Sequence, residues 1–143
     1  MTHKSFDHAR RGFNDRLAFL GKRIVDLQAS IALLSSPTPP NLDTSNDSNV
    51  YQHPSLLGAE NVTLHAKSNV LSKARLARLA RDYRIDKVVR WKPRKSDRLE
   101  SSGIETVLAH TMYSIIGALA LQRGGEVAAK TARDRILAPL GLR

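Results

Sequence analysis

The 143-residue chain contains no cysteine, which excludes a disulfide framework and any zinc or iron–sulfur site built on thiolates. Histidine is sparse and scattered. His3, His8, His53, His65 and His110 include no i, i+4 pair, so neither a transition-metal site nor any other metal or cofactor is expected. Acid is scarce as well: 13 Asp and Glu against 23 Lys and Arg give a formal charge of +10, which points to a polyanionic partner. Aromatic residues make up only 5% of the chain, with one tryptophan, Trp91. Long apolar runs are missing too. The stretch from Ile104 to Leu121 is broken by Glu105 and His110, so no uninterrupted apolar run approaches the roughly 18 to 20 residues of a bilayer span, and a soluble chain with no membrane partner is expected. The basic first sixteen residues hold Asp7 and Asp15 and carry no readable targeting signal. What is present, 41% hydrophobic residues and 25% charged, is enough for one folded domain with a core.

The charge is concentrated. Between Lys67 and Arg98 twelve bases face three acids, a net +9, and the rest of the chain is nearly neutral with eleven bases and ten acids. A solvated face serving solubility is the plain explanation, and contact with nucleic acid is the one such crowding favours. The candidate RNA-binding residues are Lys73, Arg75, Arg78, Arg81, Arg84, Lys87, Arg90, Lys92, Arg94, Lys95 and Arg98. Trp91, between bases, has the chemistry to stack on an unpaired base, although a lone tryptophan is more often a core anchor.

The pattern is helical throughout, so the fold class is all-α with about five helices. Leu17, Leu20, Ile24, Leu27, Ile31 and Leu34 recur at steps of three and four, which predicts a helix over 14–34 with this stripe in the core. Gly21 weakens that helix by about 1 kcal/mol relative to Ala, which suggests a second backbone close by. Residues 35–53 are rich in Pro, Ser, Asn and Asp and read as a loop. A less regular helix is expected over 54–69, and another over 72–83 with Leu76, Leu79, Ala80 and Tyr83 inward and Arg78, Arg81 and Arg84 outward. Pro93 prevents a regular helix over 84–98. Ser102 and Glu105 fit a capping box that starts a helix ending at Gly124-Gly125, and a last helix is expected over 126–137.

Three segments resemble the ribonuclease III catalytic domain, an all-helical fold. The family's first motif reads approximately N-E-R-L-E-F-L-G-D, and residues 14–22 here read NDRLAFLGK, identical at six of nine positions. Residues 108–119, LAHTMYSIIGAL, resemble its second motif, L-A-D-x-x-E-A-L-I-G-A-hydrophobic. Residues 76–81, LARLAR, resemble the L-A-x-L-A-R turn between them. The resemblance spans residues 13–125. It implies a domain over 13–138, an N-terminal tail over 1–12, a C-terminal tail over 139–143 and no appended double-stranded-RNA-binding domain.

In active members of that family, four carboxylates from the two motif helices hold Mg²⁺ ions that activate water against a phosphodiester. The matching positions here are Ala18, Lys22, His110 and Tyr113, none of them a carboxylate. Asp15 and Glu60 match two further acidic positions. The resemblance therefore implies a pseudoenzyme, similar to the inactive ribonuclease III-like branch of the fungal mitochondrial large ribosomal subunit. A structural, ribosomal-RNA-binding role in the mitochondrion is expected, beside neighbouring ribosomal proteins and a second ribonuclease III-like protein. That partner would meet Phe19, Leu20, Gly21 and Ile24 in a heterodimer. The alternative is a ribonuclease III-type endonuclease of double-stranded RNA, or the inactive half of a processing heterodimer. A third is an accessory factor that binds double-stranded RNA.

Overall fold

Two glycines mark the crossing of α1 (Asp15–Ser35) and α4 (Ile104–Arg123), and the remaining elements are arranged around it. The structure is a computed structural model that describes residues 1–6, 12–36, 59, 62, 64–93 and 103–142. A Cβ at Gly21 would overlap the carbonyl oxygen of Tyr113 and lie 2.7 Å from the amide nitrogen of Gly117, and a Cβ at Gly117 would overlap the carbonyl oxygen of Leu17. Glycine at both positions lets the backbones touch. The close approach expected at Gly21 is therefore found inside this chain.

That approach corrects the face of α1. Its buried residues are Ala18, Gly21, Val25, Gln28, Ala29, Ala32 and Leu33, a stripe displaced by one residue, about 100°, from the leucines. Small side chains lie under the crossing because longer ones would push α4 away. Leu17, Leu20 and Ile24 are half-buried at its flank, while Leu27, Ile31 and Leu34, expected in the core, are 59%, 46% and 46% exposed.

The other helices cover α4. α2 (Leu64–Val70) leads through Leu71 and Ser72 into α3 (Lys73–Asp82), where the Ser72 hydroxyl caps by accepting from the Arg75 N–H. α3 buries Leu76, Ala77, Leu79 and Ala80 and turns Arg78, Arg81 and Arg84 outward. Tyr83 departs from the expected inward face. It is 42% exposed, and its hydroxyl donates to the Arg135 carbonyl at 2.9 Å. α5 (Gly125–Ala132) follows Gly124, which takes φ of +90° between the two helices. The last predicted helix ends early as an α-helix and continues as a wider π turn, Arg133–Leu137.

Three further expectations change. Gly103, at φ +84°, takes the cap position of α4 with no side-chain cap; Ser102 lies outside the described residues, as do 54–58, 60, 61 and 63 of the expected 54–69 helix, whose described helical part is Leu64–Val70. Residues 1–6 are not a loose tail: the His3 N–H donates to the Arg90 carbonyl and the Arg90 N–H to the Met1 carbonyl, each at 2.9 Å. This gives an isolated parallel bridge between Thr2 and Arg90, and no strand occurs among the described residues. At the other end, Leu140 and Leu142 are buried in the core, held by an Arg75 guanidinium bond to the Leu140 carbonyl at 2.6 Å. Trp91 is half-buried against the core, in keeping with an anchor. By length and composition alone α4 is apolar enough to cross a membrane; its buried residues, among them Leu108, Met112 and Ile116, instead join the common core.

Candidate functional site

α1, the α2–α3 junction and α4 enclose an open groove of about 1030 Å³. Residues one turn apart on a helix share a face, so Ala18 and Lys22 on α1 meet His110 and Tyr113 on α4 along it. All four positions singled out by motif thus line one groove. Ala18 is buried and Lys22 exposed, with His110 and Tyr113 half-buried.

Asp15 opens the groove at the start of α1. Its Oδ1 lies 3.2 Å from Nε2 of His110 and its Oδ2 3.7 Å from Nζ of Lys4. The His3 ring stands edge-on to His110 at 5.6 Å, and His3 Nδ1 is 3.0 Å from the Ser5 hydroxyl. Burial lowers the pKa of His110, Asp15 opposes the shift and Lys4 adds to it. For His3 burial again leads the lowering, aided by His110 and Lys4 and opposed by Asp15. Both imidazoles are thus poised to be neutral near pH 7. Tyr113 is pushed up to about 12, mainly by burial and then by the Asp26 carboxylate, so it remains a neutral phenol.

These residues do not fit Mg²⁺. The ion needs a near-octahedral oxygen shell, whereas Asp15 and Asp26 are the only carboxylates among the groove's described residues, and Arg16, Lys22, Arg23, Lys67 and Lys73 line it too. Asp15 already faces Lys4 and His110. Among the described residues no three His, Asp or Glu groups cluster to hold a metal. Glu60 lies outside those residues.

The ribonuclease-III-like family profile matches residues 1–140. The chain belongs to the ribonuclease-III-like family. It is also 40% identical, over 143 residues, to the large ribosomal subunit protein mL57 of Neurospora crassa. That match covers 99% of this chain and 53% of that protein, so the chain spans about half of its relative's length.

In this ribonuclease-III-like chain the basic segment is divided between surfaces. Lys73 lines the groove with Lys67. Arg78, Arg81, Arg84, Lys87, Arg90 and Lys92 are exposed and line no part of it. Arg84 takes a left-handed φ of +56° at the exit from α3, which starts the short 3₁₀ turn Ile85–Lys87. Arg75, expected to face RNA, instead bonds the carbonyls of Leu140 and Asn69. Arg94, Lys95 and Arg98 lie outside the described residues.

The expected dimer residues are similarly divided. Phe19 is 66% exposed, with the Arg23 guanidinium 5.0 Å from its ring centre; Leu20 and Ile24 are half-buried. Gly21 is covered by α4 and has no surface left for a partner. Sequence reasoning missed His3 and Lys4, which reach His110 and Asp15 because Met1, His3 and Arg90 pair, and no local signal in residues 1–6 announces that pairing. It also missed Arg16 as a groove residue, although its basic character inside the first motif was visible.

Proposed function

We propose that this chain is a non-catalytic, structural component of the mitochondrial large ribosomal subunit that holds ribosomal RNA and a partner protein. The observation that carries the reading is the groove, where bases, an imidazole and a neutral phenol stand in place of a magnesium-binding carboxylate set. The ribosomal name of the relative supports the setting.

RNA contact falls to Arg78, Arg81, Arg84, Lys87, Arg90 and Lys92, whose side chains can neutralise phosphates and set register without reading bases. The partner contact falls to the outward ridge of α1, Leu27, Ile31 and Leu34, extended by Phe19, Leu20 and Ile24. Exposed large aliphatics in a row suit a protein interface. A second ribonuclease III-like protein is the partner this reading names. The test is gradient sedimentation of mitochondrial lysate: the protein travels with the large subunit at low salt, and recovery only at the top of the gradient refutes the ribosomal assignment. Purified protein incubated with duplex RNA and Mg²⁺ leaves the RNA intact, and metal-dependent cutting refutes the pseudoenzyme.

A further inference from the structure

The groove has a floor and a rim of different chemistry. Leu71, half-buried, brings aliphatic carbon to its lining above Ala18, Leu76 and Ala109, which the fold has already buried, and none of these side chains is a donor. Around them stand Lys22 and Arg23 from α1 and Lys67 and Lys73 from the opposite wall. No ion pair ties these four bases among the described residues; the pairs present join Asp15 to Lys4 and His110. Phe19 stands at the edge, largely exposed. The site is therefore apolar beneath and net positive around, with five bases against Asp15 and Asp26 in its lining.

We propose that this groove holds an acidic, amphipathic helical segment of a partner protein. A nucleic-acid backbone seated here would meet the bases of the rim but would lose hydration over the apolar floor, which returns no hydrogen bond. Apolar side chains at i, i+3 or i+4 and i+7 gain by covering Leu71 and the exposed Phe19 ring, at about 25 cal/mol per Å² of apolar area removed from water. Carboxylates on the flanks of the same helix meet the lysines, which raises the encounter rate and selects against basic partners. A helix is about 10–12 Å across and rises 1.5 Å per residue, so a space of about 1030 Å³ suits about two turns. The site shares Phe19 with the extended α1 ridge but excludes Leu27, Ile31, Leu34 and the exposed arginines of α3, and it does not depend on the ribosomal assignment.

The test uses the full chain and three fluorescein-labelled sixteen-residue helical peptides with leucine at i, i+3 and i+7. Their remaining positions are mainly Glu, Gln or Lys. Anisotropy titration shows the Glu peptide binding about tenfold or more tighter than the Gln peptide, with the Lys peptide weakest. K22E/K73E changes two exposed side chains and leaves the circular dichroism unchanged; it weakens the Glu peptide about tenfold and strengthens the Lys peptide. F19S weakens the Glu and Gln peptides alike. A twelve-base-pair RNA duplex keeps its affinity for K22E/K73E and loses it with R78E/R81E. Equal binding of the Glu and Gln peptides, or Glu-peptide binding unmoved by K22E/K73E, overturns the proposal. Loss of the RNA duplex with K22E/K73E also overturns it and makes the groove a nucleic-acid site.

Discussion

His110 Nε2 on α4 lies 3.2 Å from Asp15 Oδ1 at the start of α1, so the two motif helices meet through an imidazole and a carboxylate. His3 stands against the same imidazole, and burial lowers the pKa of both rings. The unfolded chain therefore takes up these protons first, near the ordinary value of 6.5, and folding stability falls as pH drops below it toward the lower folded-state values. Thermal unfolding at pH 7.5 and 5.5 shows a lower midpoint at the acidic pH. A His3→Gln/His110→Gln double variant shows a smaller difference. An unchanged pH difference in that variant would remove these rings as its source.

Gly21→Ala and Gly117→Ala each gain about 1 kcal/mol of helix propensity, but each places a methyl group into the opposing backbone. Overpacking of this kind costs about 1–3 kcal/mol and more where a backbone cannot move, so both variants are destabilised in urea titration. Because one separation of α1 from α4 relieves both clashes, the double variant loses less than the sum of the singles.

The α1 ridge separates assembly from stability. Leu27→Ser, Ile31→Ser and Leu34→Ser each shift stability by within about 0.5 kcal/mol, as exposed substitutions do, while the triple variant no longer co-purifies with the proposed ribonuclease III-like partner. Leu108→Ala on α4, at 0% exposure, costs about 2–5 kcal/mol. Loss of fold in the ridge triple variant would return the leucines to the core.

Arginine positions a few residues apart have different consequences. Arg78→Glu/Arg81→Glu lowers RNA affinity and reduces the slope of log K against log salt by roughly 0.7 to 0.9 for each phosphate that is no longer neutralised. Arg75→Ala leaves that slope in place and lowers stability by about 1 kcal/mol, because its guanidinium bonds the Leu140 carbonyl. Filter binding across a salt series, paired with thermal unfolding, distinguishes the two.

The spans of α1, α3 and α4 were legible because period and local turn chemistry lie within a few residues. The buried face of α1 was not. Two stripes with the same spacing run along it, one of leucine and isoleucine and one led by Ala18, Gly21 and Val25, and the inward one is selected by the remote backbone of Gly117. The four motif positions were legible as a group, since Ala18 with Lys22 and His110 with Tyr113 share helical faces. The His3–His110–Asp15 cluster was not, because His3 is brought there by pairing with Arg90, far away in sequence. Arg75 looked like its exposed neighbours until the C-terminal leucines folded beneath it.

The glycine crossing also sets an order of events. Gly21 and Gly117 lie about a hundred residues apart, so their meeting closes a long loop and forms late as the chain collapses. Until α1 and α4 meet, α4, the most apolar of the described helices, remains partly uncovered and open to association with other unfinished chains. Lowering temperature during expression, which weakens apolar association, is therefore expected to raise the yield of native protein.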